Sequence, residues 1–181
     1  MCSRRTSKQE AARLTKRRHP SRRVVPPRIG RIALRAPLGR ALVYDIPAMT
    51  DLVFFYGTLM SGFKREGRAR VDLALESVGS GTIPAVLFDL GFYPAAVPAA
   101  DSRVHGEVHR MLEPETVLRQ LDEIEGYRHE EPDASLYIRV ETPVRLDDGR
   151  LDRAWVYFYN APLGGAQRIE SGDYLEYLKV K

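Results

Sequence analysis

Leu52-Val53-Phe54-Phe55-Tyr56-Gly57-Thr58-Leu59 sets the architecture of this 181-residue chain. Its first half is apolar, β-branched and aromatic, and reads as a buried strand. The strand stops sharply at Gly57. A glycine there lets the backbone turn and approach a ligand closely. Successive N–H groups at such a turn hold an anion or a carbonyl oxygen. The lysine and glycine spacing of a phosphate-binding loop is missing, so a nucleotide is not expected. Taken alone, the same four residues Tyr56 to Leu59 also fit an ordinary tight turn.

Downstream, Ser61 to Arg70 is a looser segment rich in Gly and Arg. Strand material is expected over Ser77 to Phe88, broken at Gly79 and Gly81. Val104 to Met111 alternates and reads as a strand. Leu136 to Val140 and Ala154 to Tyr159 read as two more, and Asp147-Asp148-Gly149 between them has the chemistry of a hairpin turn. Pro114 to Glu125 is the best helix. Many strands and one good helix point to an α+β domain with a small closed or nearly closed sheet.

Upstream, the composition changes. Residues 1–48 hold 13 of the 28 Lys and Arg but only two acids, Glu10 and Asp45. The rest of the chain carries 15 basic and 22 acidic residues, so the overall charge of +4 averages two unlike pieces. Prolines at 20, 26, 27, 37 and 47 interrupt helix and strand alike. Few large apolar residues offset the entropy of ordering this backbone. Residues 1–48 are therefore expected to be a disordered basic N-terminal extension, and residues 49–181 the folded domain. The extension is compatible with phosphate binding, a transit peptide, a solvated tail, or an upstream stretch ahead of a true start at Met49.

No apolar run approaches the ~20 residues that span a bilayer, so no membrane partner is expected. Cys2 is the one cysteine, which excludes an internal disulfide framework and a Cys-rich metal site. This composition fits a reducing, cytoplasmic setting. His105 and His109 are four apart on an expected strand, which is not zinc-protease spacing. His129 lies in an acidic loop and reads as solvated. No GxSxG, CxxC or GxGxxG pattern occurs.

The helix carries the sharper signal. Pro114 suits its first turn and Glu115 its positive end. Val117, Leu118, Leu121 and Ile124 form an apolar stripe, and Glu125 falls on that stripe at 100° per residue. Gly126 then suits the left-handed cap. Burial and the negative end of the helix dipole both disfavour a charge at Glu125, which would raise its pKa and make it a stronger base. Periodicity alone leaves open a carboxylate that snorkels to water or pairs with an arginine such as Arg139. The tyrosines at 137, 157 and 159 read as core or rim residues of strands.

Two segments taken together resemble a known group. Val53 to Leu59 is similar to the opening signature of the γ-glutamylcyclotransferase-like superfamily, which includes the AIG2-like proteins and the γ-glutamylamine cyclotransferases. Leu121-Asp122-Glu123-Ile124-Glu125-Gly126 resembles its second signature. Phe92 to Val97, Val104 to Val108, Leu136 to Arg139 and Gly172 to Tyr174 are similar to the family in the same order. The loop Tyr127 to Ser135 matches it poorly. The resemblance implies a small mixed β-barrel with flanking helices. It implies an enzyme that releases 5-oxoproline from a γ-glutamyl compound, with no cofactor and no metal. Glu125 would be the general acid and base. Tyr56, Gly57, Thr58, Leu59 and Tyr137 would surround the small-molecule substrate. Monomer or weak homodimer is the expected state. A catalytically silent AIG2-like binding module and a nucleic-acid-associated protein acting through the basic tail are the alternatives.

Overall fold

The computed structural model describes residues 50–63 and 66–181, and the extension expected over residues 1–48 lies outside them. Among the described residues, six strands and three α-helices follow one another in the chain. They are β1 (Leu52–Phe55), α1 (Glu66–Val71), β2 (Leu75–Asp89), β3 (Pro94–Met111), α2 (Pro114–Glu125), β4 (Tyr137–Leu146), β5 (Leu151–Tyr159), β6 (Gln167–Ile169) and α3 (Tyr174–Val180).

The strand order β3-β1-β5-β4-β2 closes on itself because β2 also pairs with β3. The result is a closed five-stranded mixed barrel with three helices, an α+β fold. β6 extends β2 beyond the barrel, along Leu87 to Asp89. The β1–β5 pair is parallel and the others are antiparallel.

Side-chain alternation builds the interior. On β2, Gly81, Ile83, Ala85 and Leu87 are buried while their neighbours are partly exposed. On β4, Thr142, Val144 and Leu146 face in and Pro143 and Arg145 face out, the period of two that a half-buried strand requires. All four residues of β1 are buried, so this strand has no solvent face. Phe54 and Phe158 are among the largest fully buried side chains. Each contributes roughly 1.5–3 kcal/mol of transfer free energy.

Several sequence expectations change here. β2 is continuous from Leu75 to Asp89 where breaks at Gly79 and Gly81 were expected. Gly79, at φ +144°, accompanies a shift of pairing register, which bends the strand without ending it. Gly81 marks the point where β2 also pairs with β4. A Cβ there would lie 2.7 Å from the Arg145 carbonyl oxygen, so glycine permits the strands to meet and the barrel to close. β3 begins at Pro94, ten residues before the expected Val104, and residues 99–102 fall outside its ladder with β2. β4 begins at Tyr137 rather than Leu136, and β5 at Leu151 rather than Ala154. α1 occupies part of the segment expected to be loose. The hairpin at Asp147-Asp148-Gly149 joins β4 to β5 as expected.

α2 spans Pro114 to Glu125 with Pro114 in its first turn and Gly126 left-handed at φ +67°. It buries Val117, Leu118 and Leu121 on the barrel. α3 is capped by Asp173, whose carboxylate accepts from the Glu176 amide. Its far end is tied to β2, because Asp89 accepts from the Tyr177 hydroxyl and the Lys181 ammonium. Among the described residues no helix is long and apolar enough to cross a membrane.

Candidate functional site

A cavity of about 460 Å³ opens where the end of β1, the end of α2 and the start of β4 converge. Phe54, Phe55, Tyr56, Gly57, Thr58 and Leu59 line one side, and Ile124 and Glu125 come from α2. Tyr93 comes from the β2–β3 turn and Pro94 from the start of β3, Leu136 and Tyr137 from the entry to β4, Tyr157 from β5, and Glu66 and Gly67 from α1. Every residue singled out from the sequence, Tyr56, Gly57, Thr58, Leu59, Glu125 and Tyr137, therefore borders one space. Sequence reading missed Glu66, Tyr93, Pro94 and Tyr157. Tyr93-Pro94 fell within one of the family-like segments, and Tyr157 was read as a strand tyrosine.

The turn after β1 is compact. The Met60 amide donates to the Gly57 carbonyl at 2.9 Å. The Thr58 and Leu59 amides donate to no acceptor among the described residues. Gly57 is explained differently from the sequence reading. It does not need a left-handed backbone. A Cβ on it would lie 2.7 Å from Pro94 Cγ and 3.2 Å from Pro94 Cδ, so the close neighbour is the proline across the cavity wall.

Tyr56 and Tyr137 are fixed by main-chain acceptors, and Tyr157 by a carboxylate. The buried Tyr56 hydroxyl donates to the Tyr157 carbonyl at 2.7 Å. Tyr137 donates to the Pro94 carbonyl at 3.3 Å, and Tyr157 to the Asp122 carboxylate at 2.7 Å. Burial raises the pKa of Tyr56, and the charge of Glu125 adds to the rise. Burial also raises that of Tyr137, with further contributions from Tyr56 and Glu125. Tyr157 is raised by burial and by its bond to Asp122. All three stay protonated and act as neutral hydroxyls.

Asp122 braces the helix end. It accepts from the Arg139 guanidinium at 2.8 and 3.0 Å as well as from Tyr157. Arg139 also lies over the Tyr127 and Trp155 rings, 5.4 and 5.2 Å from their centroids. One turn of helix along, Glu125 lines the cavity, half-buried. Glu123 is exposed and pairs with Arg70 at 2.7 Å. Among the described residues no group of His, Cys, Asp and Glu is arranged to hold a metal.

Outside the cavity, Glu107 on β3 accepts from the Ser61 amide, the Ser61 hydroxyl and His109. Burial pushes its pKa up, but the bonds from His109 and Ser61 outweigh burial and bring it down to about 2. A carboxylate held below its ordinary value of 4.5 stabilises the fold above that pH, and the contribution is lost as pH falls from 4.5 toward about 2. The expected result is a melting temperature that falls less steeply for Glu107→Gln than for wild type across that window. Parallel acid limbs in the two thermal profiles would show that this anion adds nothing.

Comparison with known proteins follows the same lines. Residues 53–176 match the family described as gamma-glutamyl cyclotransferase, AIG2-like. The chain is 32% identical over 127 residues to the gamma-glutamylcyclotransferase family protein YtfP of Escherichia coli K12, covering 68% of this chain and 96% of that protein. The solution structure of E. coli ytfP superposes with a TM-score of 0.50 at 31% identity, covering 70% of this chain and 97% of that one. YkqA from Bacillus subtilis shares the fold at a TM-score of 0.55 and 24% identity. That match covers 73% of this chain, which spans only 42% of the YkqA chain. With both signature segments on one cavity and the match running through nearly the whole barrel, the chain belongs to the γ-glutamylcyclotransferase, AIG2-like family.

Proposed function

We propose that the folded domain, residues 49–181, releases 5-oxoproline from a γ-glutamyl amine or γ-glutamyl amino compound. The observation that carries this reading is the division of labour around the cavity. Three tyrosines are held protonated by burial and by nearby carboxylates, and Glu125 from the end of α2 lines the same cavity. Among the described residues, Glu66 is the other carboxylate on the lining, exposed on the first turn of α1.

In the proposed reaction the substrate's α-amine attacks its own γ-carbonyl. The C–N bond to the leaving amine then breaks, and the five-membered lactam departs. Nucleophile and electrophile share one molecule, so much of the entropic cost is already met. Folding the glutamyl chain into a ring-like pose is the remaining task, and the aromatic walls from Tyr56, Tyr93 and Tyr137 suit it. An ammonium cannot attack while protonated, so Glu125 takes that proton and returns one to the leaving nitrogen. A carboxylate near 4.3 and an amine near 8 differ by roughly 4 pH units, or about 5 kcal/mol. Excluding water as the cavity fills narrows that gap, because the charged carboxylate is the form that loses most. The Thr58 and Leu59 amides supply donors for the substrate carboxylate or the developing oxyanion.

The test is a panel of γ-glutamyl amines and γ-glutamyl amino acids, scored by mass spectrometry. 5-Oxoproline and free amine are expected in equal amounts from at least one compound. Saturable binding with no product would replace the enzyme reading by that of a ligand-binding module.

A further inference from the structure

The turn at the cavity is held by a carboxylate that does not line it. Glu107 on β3 stands opposite Phe55 of β1. Its Oε2 accepts from the Ser61 amide at 2.8 Å, and its Oε1 accepts from the Ser61 hydroxyl at 2.6 Å. Ser61 follows directly on the turn from Gly57 to Met60, so the chain leaving the turn is bound twice to the barrel wall.

His109 orients the carboxylate. It lies two residues along β3 on the same face as Glu107, with Nε2 3.0 Å from Oε2. Because Glu107 is ionised it only accepts, so Nε2 carries the proton. The imidazole is buried, tilted against the Phe55 ring at 5.6 Å, and its Nδ1 has no partner among the described residues. A buried polar nitrogen left without a partner is unfavourable. Phenylalanine would fill similar space without that penalty. What histidine adds is the bond to Glu107.

The order of these groups excludes an activated serine. The carboxylate stands between Ser61 and His109 and accepts from both, so the hydroxyl proton points at Glu107 and not at the imidazole. The inner part of the turn has its own tie. Arg68 of α1 donates to the Leu59 carbonyl at 2.8 Å, and its guanidinium lies over Phe55 at 5.3 Å. Both ties leave the Thr58 and Leu59 amides unengaged.

We infer that Glu107, oriented by His109, is a positioning residue for substrate binding: it fixes Ser61, and through Ser61 the Thr58 and Leu59 amides at the cavity. The catalytic readout of this inference rests on the cyclotransferase reading, and its structural readout does not. The geometry separates two substitutions. A glutamine with its oxygen in the Oε2 position accepts both N–H bonds, and its NH2 then faces the Ser61 hydroxyl, which can accept. Glu107→Gln keeps the clamp and Glu107→Ala removes it.

The experiment uses the full chain and two measurements. Hydrogen exchange over residues 56–63, followed by mass spectrometry, reads the clamp without any substrate. Glu107→Ala is expected to speed exchange there about tenfold, the scale of a lost bond to a charged group, and to leave other segments near wild type. On a compound that wild type turns over, KM is expected to rise about tenfold with kcat within about threefold. Glu107→Gln is expected to restore both. Unchanged exchange over 56–63, damage from Gln equal to that from Ala, or uniformly faster exchange with an unchanged KM would overturn the inference. Should Glu107→Ala fail to fold, Ser61→Ala, an exposed change that loses one of the two bonds, must still speed exchange over 56–63 about two- to threefold. No change there overturns the inference as well. If wild type turns over nothing on the panel, the enzyme reading fails while the exchange result still decides the clamp.

Discussion

Glu125→Gln is expected to lower kcat by at least about 100-fold on any γ-glutamyl compound that wild type turns over, the usual floor for loss of a general base. Glutamine keeps the shape and size of the side chain and removes its capacity to take a proton. The neighbouring hydroxyls offer no substitute, since Tyr56, Tyr137 and Tyr157 are pushed away from ionisation by burial and by adjacent negative charge. The fold should survive, because a charge at the negative end of α2 is not one the helix favours. Glu123→Gln is the matched control. It lies two residues away, exposed, and gives up only its surface contact with Arg70, worth at most about 1 kcal/mol. Its kcat should equal that of wild type. Retention of more than about a tenth of wild-type kcat by Glu125→Gln removes Glu125 from the base role.

Gly57→Val is expected to cost both binding and stability. The inserted Cβ meets Pro94 Cγ at 2.7 Å, closer than any relaxed contact, and a proline ring has little freedom to yield. Pro94 is paired with Asp89 in the β2–β3 ladder, and its carbonyl accepts from Tyr137. The strain therefore moves the turn or the opposite wall, and both line the cavity. Overpacking of this kind costs about 1–3 kcal/mol, or a fall in melting temperature of about 4–10 °C for a domain of this size. KM should rise at least about tenfold, as the amides at Thr58 and Leu59 leave their place. Pro94→Ala removes the obstructing ring atoms, so the double variant should recover much of the loss, and a double-mutant cycle measures that coupling. A folded Gly57→Val protein with unchanged KM would sink the role given to the turn.

The sequence was most readable where local chemistry and tertiary demand agree. α2 has a proline start, a stripe at helical period and a left-handed glycine end, and its bounds follow from those features alone. The hairpin at Asp147-Asp148-Gly149 is equally local. β2 was harder, because Gly79 and Gly81 carry the marks of a break. One is a register shift, and the other clears space for β4, a fact visible only once β4 is in place. The early half of β3 hides behind Pro94, Pro98 and alanines, residues of low strand propensity that pairing with β2 overrides. Among the residues that line the cavity, Glu125 and the turn were legible because each sits at the end of a recognisable element. Tyr157 was not, because a strand tyrosine facing a cavity and one facing a core have the same sequence pattern. The reason for Gly57 was also out of reach, since Pro94 is distant in the chain.

The closure of the barrel has a consequence for how the protein folds. β1 comes first among the described strands, yet it is completed by β5, and the Tyr56 hydroxyl bonds to a carbonyl 101 residues away. Such pairings reward the chain only after a long loop has been closed, which places a domain of this kind among the slow folders, on the order of milliseconds to seconds. During synthesis, β1 must wait for most of the domain to emerge before its second neighbour exists. Its all-apolar edge is exposed until then, an invitation to association between nascent chains. The cavity is assembled by the same late event, because Tyr157 arrives with β5. The cavity lining is thus complete only when the barrel is.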